Sequence, residues 1–259
     1  MKKALLLISA ITFLFTSCEK PTPTHLIIHF THTVDGVPLE ITTDNSNLPY
    51  TNAAGQNYNV KKLQYLISNI DMHSESGNID LKGIHFVDAS DPSTLKLNLG
   101  ELGSGHHSGL RFTLGLRGGF NISNAYVNED FHATMAWPEM MGGGYHYMKL
   151  EGNFDNETTF YNTHTGPLPV TLIDGNGDGF IVNDHSITYS SGCLNSDASS
   201  FYVSDGLGDV TITLNMELNK WYSSPNITLT TDGIMGNEQM QISLKNNGGC
   251  IFSNSVFYE

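Results

Sequence analysis

Val60-Lys61-Lys62-Leu63-Gln64-Tyr65-Leu66-Ile67-Ser68-Asn69-Ile70 is the stretch on which the fold class turns. Leu63, Leu66, Ile67 and Ile70 recur at helical spacing, so this segment predicts a helix, although its β-branched content is also that of a strand. Around it the chain reads as strands. Leu26 to Thr33, Leu81 to Val87, Leu110 to Leu116, Val210 to Met216, Ile227 to Thr230 and Met240 to Leu244 alternate or are rich in β-branched residues. Clusters of Gly, Asn, Asp and Ser separate them. Short strands with frequent turn signals predict an all-β fold, an antiparallel β-sandwich or jelly-roll-like single domain with long loops. No Pro/Gly/Ser-rich linker divides the chain after Thr24, and no internal repeat is visible.

The N-terminus reads differently. Met1-Lys2-Lys3 is a positive start, Ala4 to Phe15 is apolar, and Thr16-Ser17-Cys18 closes the run as a lipoprotein signal does. Residues 1–17 are thus expected to be a cleaved signal peptide, with a lipid on Cys18 anchoring the protein to the membrane. The apolar run is shorter than the roughly 20 residues a permanent span needs. Residues 18–24 read as a tether and 25–259 as the β domain. The expected address is the cell envelope, periplasmic or surface-exposed.

The formal charge is −14, and loss of Lys2 and Lys3 with the signal would make it about −16. Such acidity excludes nucleic acid as a natural partner and is compatible with cationic ligands. With Cys18 assigned to lipid, Cys193 and Cys250 remain, and in an oxidising compartment they are expected to pair as a disulfide, the competing reading being two free thiols that serve as soft metal ligands.

Three clusters carry chemistry-bearing residues. In the first, Met135, Met140, Met141 and Met148 accompany Trp137 and His146 around Gly142-Gly143-Gly144. Thioether and imidazole are neutral donors that suit monovalent copper, and glycines permit a sharp turn. The plain alternative is that Met135, Met148 and Leu150 alternate into a core above a glycine loop. The second cluster is the eleven histidines. His25 and His29 would share a strand face, His106-His107 read as a solvated loop, and spacing alone does not bring His164 to His146. In the third, Asp174, Asn176 and Asp178, then Gly179 and Phe180, match the start of a calcium loop, but His185 stands where the bidentate acid belongs, and Asp184 would have to substitute.

Catalytic templates are absent. There is no G-x-S-x-G elbow, H-E-x-x-H, P-loop or CxxC, and Glu139 with Glu151 is a carboxylate pair of a kind any acidic chain offers.

Taken together, Tyr50-Thr51-Asn52 with Gly55, Tyr58 through Ile70, Gly109 through Leu116, Met135-Ala136-Trp137, Gly144-Tyr145, Met148 through Gly152, His164-Thr165-Gly166 and Ile234 through Asn237 resemble the MbnP-like domain family. That family is named for a periplasmic copper-binding protein associated with methanobactin clusters. The resemblance implies an all-β extracytoplasmic domain that holds or delivers copper and is not itself a catalyst. It also implies a partner dihaem cytochrome peroxidase of the MauG type that oxidises one tryptophan to kynurenine. Trp137, in the matching Met-x-Trp motif, is the implied target, His146 and His164 the implied nitrogen ligands, and Met135 or Met140 an implied soft axial contact. Met140 stands near where many relatives carry a second tryptophan. The rival expectation is a calcium-stabilised surface module binding carbohydrate or protein, with Trp221-Tyr222 in its contact surface.

Overall fold

The computed structural model describes residues 22–75, 77–170, 181–183, 187–189, 194, 200–204 and 206–258. The signal peptide 1–17, the lipidation residue Cys18, the calcium-loop residues Asp174, Asn176, Asp178, Phe180 and Asp184, and Cys193 of the expected disulfide all lie outside the described residues.

The main strands are β1 (Thr24–Val34), β2 (Lys62–Ser74), β3 (Gly77–Asp88), β4 (Lys96–Leu102), β5 (Gly105–Leu114), β6 (Met148–Asn153), β7 (Phe160–Thr165), β8 (Val210–Glu217) and β9 (Phe252–Tyr258). They form two large sheets, so the all-β, sandwich-like expectation holds. In one sheet the order is β9-β8-β1-β4. In the other β2 is the spine: β3 lies along one edge, while β6 and then β5 share the other, and β7 extends the sheet beyond β6. The pairing is not wholly antiparallel. β1 and β8 run parallel, Leu26 opposite Val210 through Thr33 opposite Glu217.

The helix expected at Val60 to Ile70 is strand β2. Its helical spacing has two sources. Both faces are buried, so Leu63, Tyr65 and Ile67 enter the main core while Leu66 packs oppositely with Leu116, Phe131, Met135, Tyr145 and Tyr147. The register then shifts around Asn69, which has φ 49°, so the inward positions change phase and Ile70 and Met72 follow Ile67 into the core.

Two other expected strands are also corrected. Met240 to Leu244 lies within the helix Glu238–Gly248, where the Asn237 side chain caps the first turn by accepting from Met240 N–H and Lys245 sits in the last turn. Ile227 to Thr230 joins no ladder among the described residues. There the Gln56 amide accepts from Leu229 N–H and donates to Leu229 O, doing for one residue what a neighbouring strand would.

The sheets meet around Tyr65. Its ring lies edge-on to Phe30 at 6.3 Å and to Phe252 at 6.1 Å, and its hydroxyl is 3.0 Å from His32 Nε2. Burial, reinforced by nearby His29, pushes the His32 ring from its ordinary 6.5 down to about 4. Between those values the unfolded chain binds more protons than the folded one. This contribution to stability is therefore complete above pH 6.5 and is lost as pH falls through about 4, by at most about 3 kcal/mol. His32→Gln keeps a polar partner for Tyr65 but does not titrate. Chemical denaturation across that window should show a shallower acid loss in the variant; a loss as steep as in the unaltered protein would contradict the assignment.

Candidate metal centre

Strand alternation builds the site. With Lys62 opposite Glu151, Gln64 opposite Lys149, Asn162 opposite Glu151 and His164 opposite Lys149, these polar residues share one face of β2, β6 and β7. Leu63, Tyr65, Leu150 and Tyr161 occupy the other face, in the core. His164 thus projects from the sheet's polar face, yet it is only 9% exposed.

The segment between β5 and β6 makes up the other side. It carries a helical turn at His132–Met135, Trp137, a 3-10 turn at Glu139–Met141 and the three glycines. Gly142, Gly143 and Gly144 have φ of 101°, 69° and 91°, a run of left-handed conformations that only glycine adopts readily. This reverses the chain so that Trp137 N–H donates to Gly144 O and His146 N–H to Met135 O. Asn121 pins the turn by exchanging hydrogen bonds with the Tyr145 backbone, and Ser123 Oγ accepts from Gly144 N–H.

Folding therefore brings together His146, His164 and Trp137, which sequence spacing could not. The His146 and His164 rings lie 5.0 Å apart at 86°, and the Trp137 ring is 4.8 Å from His146 at 71°. All three are buried. Met135 O faces His146 Nδ1 at 3.1 Å, and Glu151 Oε1 faces His164 Nε2 at 2.9 Å. The remaining ring atoms, His146 Nε2 and His164 Nδ1, are buried and have no hydrogen-bond partner among the described residues.

Burial, and then the neighbouring His164, push the His146 ring down to about 3, so it is neutral with a lone pair to donate. Burial alone would raise the Glu151 carboxyl, but hydrogen bonds from His164 and Lys62, together with their charges, hold it at about 2. Among the described residues no group of three or more His, Cys, Asp or Glu side chains is placed to hold a metal. Two imidazoles beside an aromatic ring are donors of a kind that suits a soft or borderline ion, not calcium.

The methionines divide. Met135 reaches the site through its carbonyl, its side chain being fully buried in the second apolar cluster. Met140 is 93% exposed on the 3-10 turn and is not drawn into the buried group. Trp221 and Tyr222 are fully buried in the 3-10 turn Leu218–Tyr222, which removes them from any contact surface. His107 is not in a solvated loop but in β5, 3% exposed and stacked 5.5 Å from Phe201. His25 and His29 do share a strand face.

A family model for MbnP matches residues 23–242. This chain belongs to the MbnP family. Among solved structures it resembles MbnP from Methylosinus trichosporium, with a TM-score of 0.54 and 12% identity over 92% of this chain and 99% of that one. At that identity the likeness shows the fold alone. No match is found among curated proteins.

In this MbnP-family chain, sequence reading missed Glu151, dismissed as one carboxylate of many, and its partner Lys62, whose Nζ lies 3.1 Å from Glu151 Oε2. The available signal was alternation: in Lys149-Leu150-Glu151 the charges share a face. It also missed the closeness at Gly166, where a Cβ would lie 2.4 Å from Trp137 Cε3. Gly166→Ala should therefore push the indole off His146, changing the near-ultraviolet circular dichroism and lowering stability by about 1–3 kcal/mol. An unchanged spectrum and melting curve would contradict this packing.

Proposed function

We propose that this protein is an extracytoplasmic copper-binding member of the MbnP family, which holds or delivers the ion and is not itself a catalyst. The observation that carries the reading is the pair of buried nitrogens with no partner among the described residues, His146 Nε2 and His164 Nδ1, on rings 5.0 Å apart. An unpaired buried polar atom costs about 1–3 kcal/mol, so two at one place favour a ligand that satisfies both. His146 and His164 would hold copper through these atoms. The imidazoles are neutral donors, and the buried setting favours the monovalent ion over a more strongly charged one.

Trp137 is the proposed target of a partner dihaem peroxidase. Its indole packs against His146, and its Nε1 donates to Met141 O at 3.0 Å. Conversion to kynurenine would give this side chain an aryl amine and a ketone, donors of a kind indole lacks. The family's extracytoplasmic association and the signal ending at Cys18 support a lipid-anchored protein of the cell envelope. An oxidising envelope would also support a Cys193–Cys250 disulfide.

Metal analysis and intact mass on protein from its native envelope test the proposal. About one copper per chain is expected, lost in the His146→Ala/His164→Ala double variant, with a mass change localised to Trp137. Copper that persists in the double variant, or calcium as the sole metal, would overturn it.

A further inference from the structure

The two nitrogens without a partner among the described residues belong to rings 5.0 Å apart, and two acceptors select the tautomers of those rings. Met135 O, 3.1 Å from His146 Nδ1, can only accept, so Nδ1 carries the proton and Nε2 the lone pair. At His164 the acceptor is the Glu151 carboxylate. Ionised, it too can only accept, which places the proton on Nε2 and the lone pair on buried Nδ1. A carbonyl cannot change that role. A carboxylate is the one component of the pair that a single substitution can convert into a donor.

Glu151 is itself held. Lys62 lies directly opposite it in the β2–β6 register and binds Oε2 at 3.1 Å, while Oε1 is engaged by His164. Glu151 is mostly enclosed, with a side chain 15% exposed, whereas Lys62 at 37% reaches towards solvent. The backbone of the same residue is held as well, His164 O accepting from Gln241 Nε2 at 2.8 Å.

We propose that Glu151, fixed by Lys62, is the positioning residue of the metal centre: its carboxylate locks His164 with Nε2 protonated, and so makes Nδ1 the atom presented to the ion. The proposal rests on the metal-binding reading above. A carboxylate behind a ligating histidine fixes ring orientation and raises its basicity, and its loss typically weakens metal binding about 10- to 100-fold.

The tautomer can be read without any metal. In metal-free protein labelled with nitrogen-15, the His164 ring should show a protonated Nε2 and an unprotonated Nδ1. In Glu151→Gln the amide can donate to Nε2, so a population with Nδ1 protonated should appear, and binding of silver(I), used as a stable stand-in for copper(I), should weaken about 10- to 100-fold. Lys62→Met, which leaves the carboxylate in place, should weaken binding less. A melting curve on each variant separates lost fold from lost positioning. Protonated Nδ1 in the unaltered protein, or silver(I) binding that Glu151→Gln leaves unchanged, would overturn the proposal. If neither silver(I) nor copper(I) binds the unaltered protein while the tautomer is as described, the metal-binding reading falls and the positioning of His164 by Glu151 stands.

Discussion

Successive residues of a strand point to opposite faces, and in β2, β6 and β7 that alternation places Leu63, Tyr65, Leu150 and Tyr161 in the core and Lys62, Gln64, Lys149, Glu151 and His164 on the far side. A polar face of this kind ordinarily stays in water. Here part of it is covered by the segment from Phe131 to Tyr147, and that covering is what turns surface residues into a site. His164 and Glu151 become enclosed, their hydrogen bonds strengthen in the drier surroundings, and one nitrogen of each of His146 and His164 is left without a partner among the described residues.

The covering segment stays down for identifiable reasons. Met135, Phe131, Tyr145 and Tyr147 bury their side chains with Leu66, the residue of β2 that points away from the main core. The Tyr145 hydroxyl accepts from Tyr126 N–H and lies 2.9 Å from His132 Nδ1, so this large side chain has its polar end satisfied. The edge-on contacts among Trp137, His146 and His164 are each worth about 0.5–1.5 kcal/mol, comparable with the cost of leaving a ring nitrogen unpaired. A ligand bound only by the folded site would add to stability by mass action.

Much of this was legible in the sequence, for physical reasons that also explain what was not. β1 and β8 alternate cleanly because each has one face in the core, and they read as strands. β2 misled because both its faces are buried and a bulge near Asn69 changes its phase, which together imitate a helix. The helix from Glu238 was obscured because its buried Gln241 and Asn247 are polar, so no apolar stripe announces it. His146, His164 and Trp137 could be singled out only through family resemblance, since the histidines stand eighteen positions apart across a strand reversal. The part played by Glu151 depends on a diagonal contact across two strands, which no local pattern encodes.

The most direct measurement is anomalous diffraction at the copper edge from crystals of the copper-loaded protein. One strong peak is expected between His146 and His164, within bonding distance of Nε2 of the first and Nδ1 of the second. A fully occupied copper at any other histidines, with these two nitrogens still unligated, would contradict it.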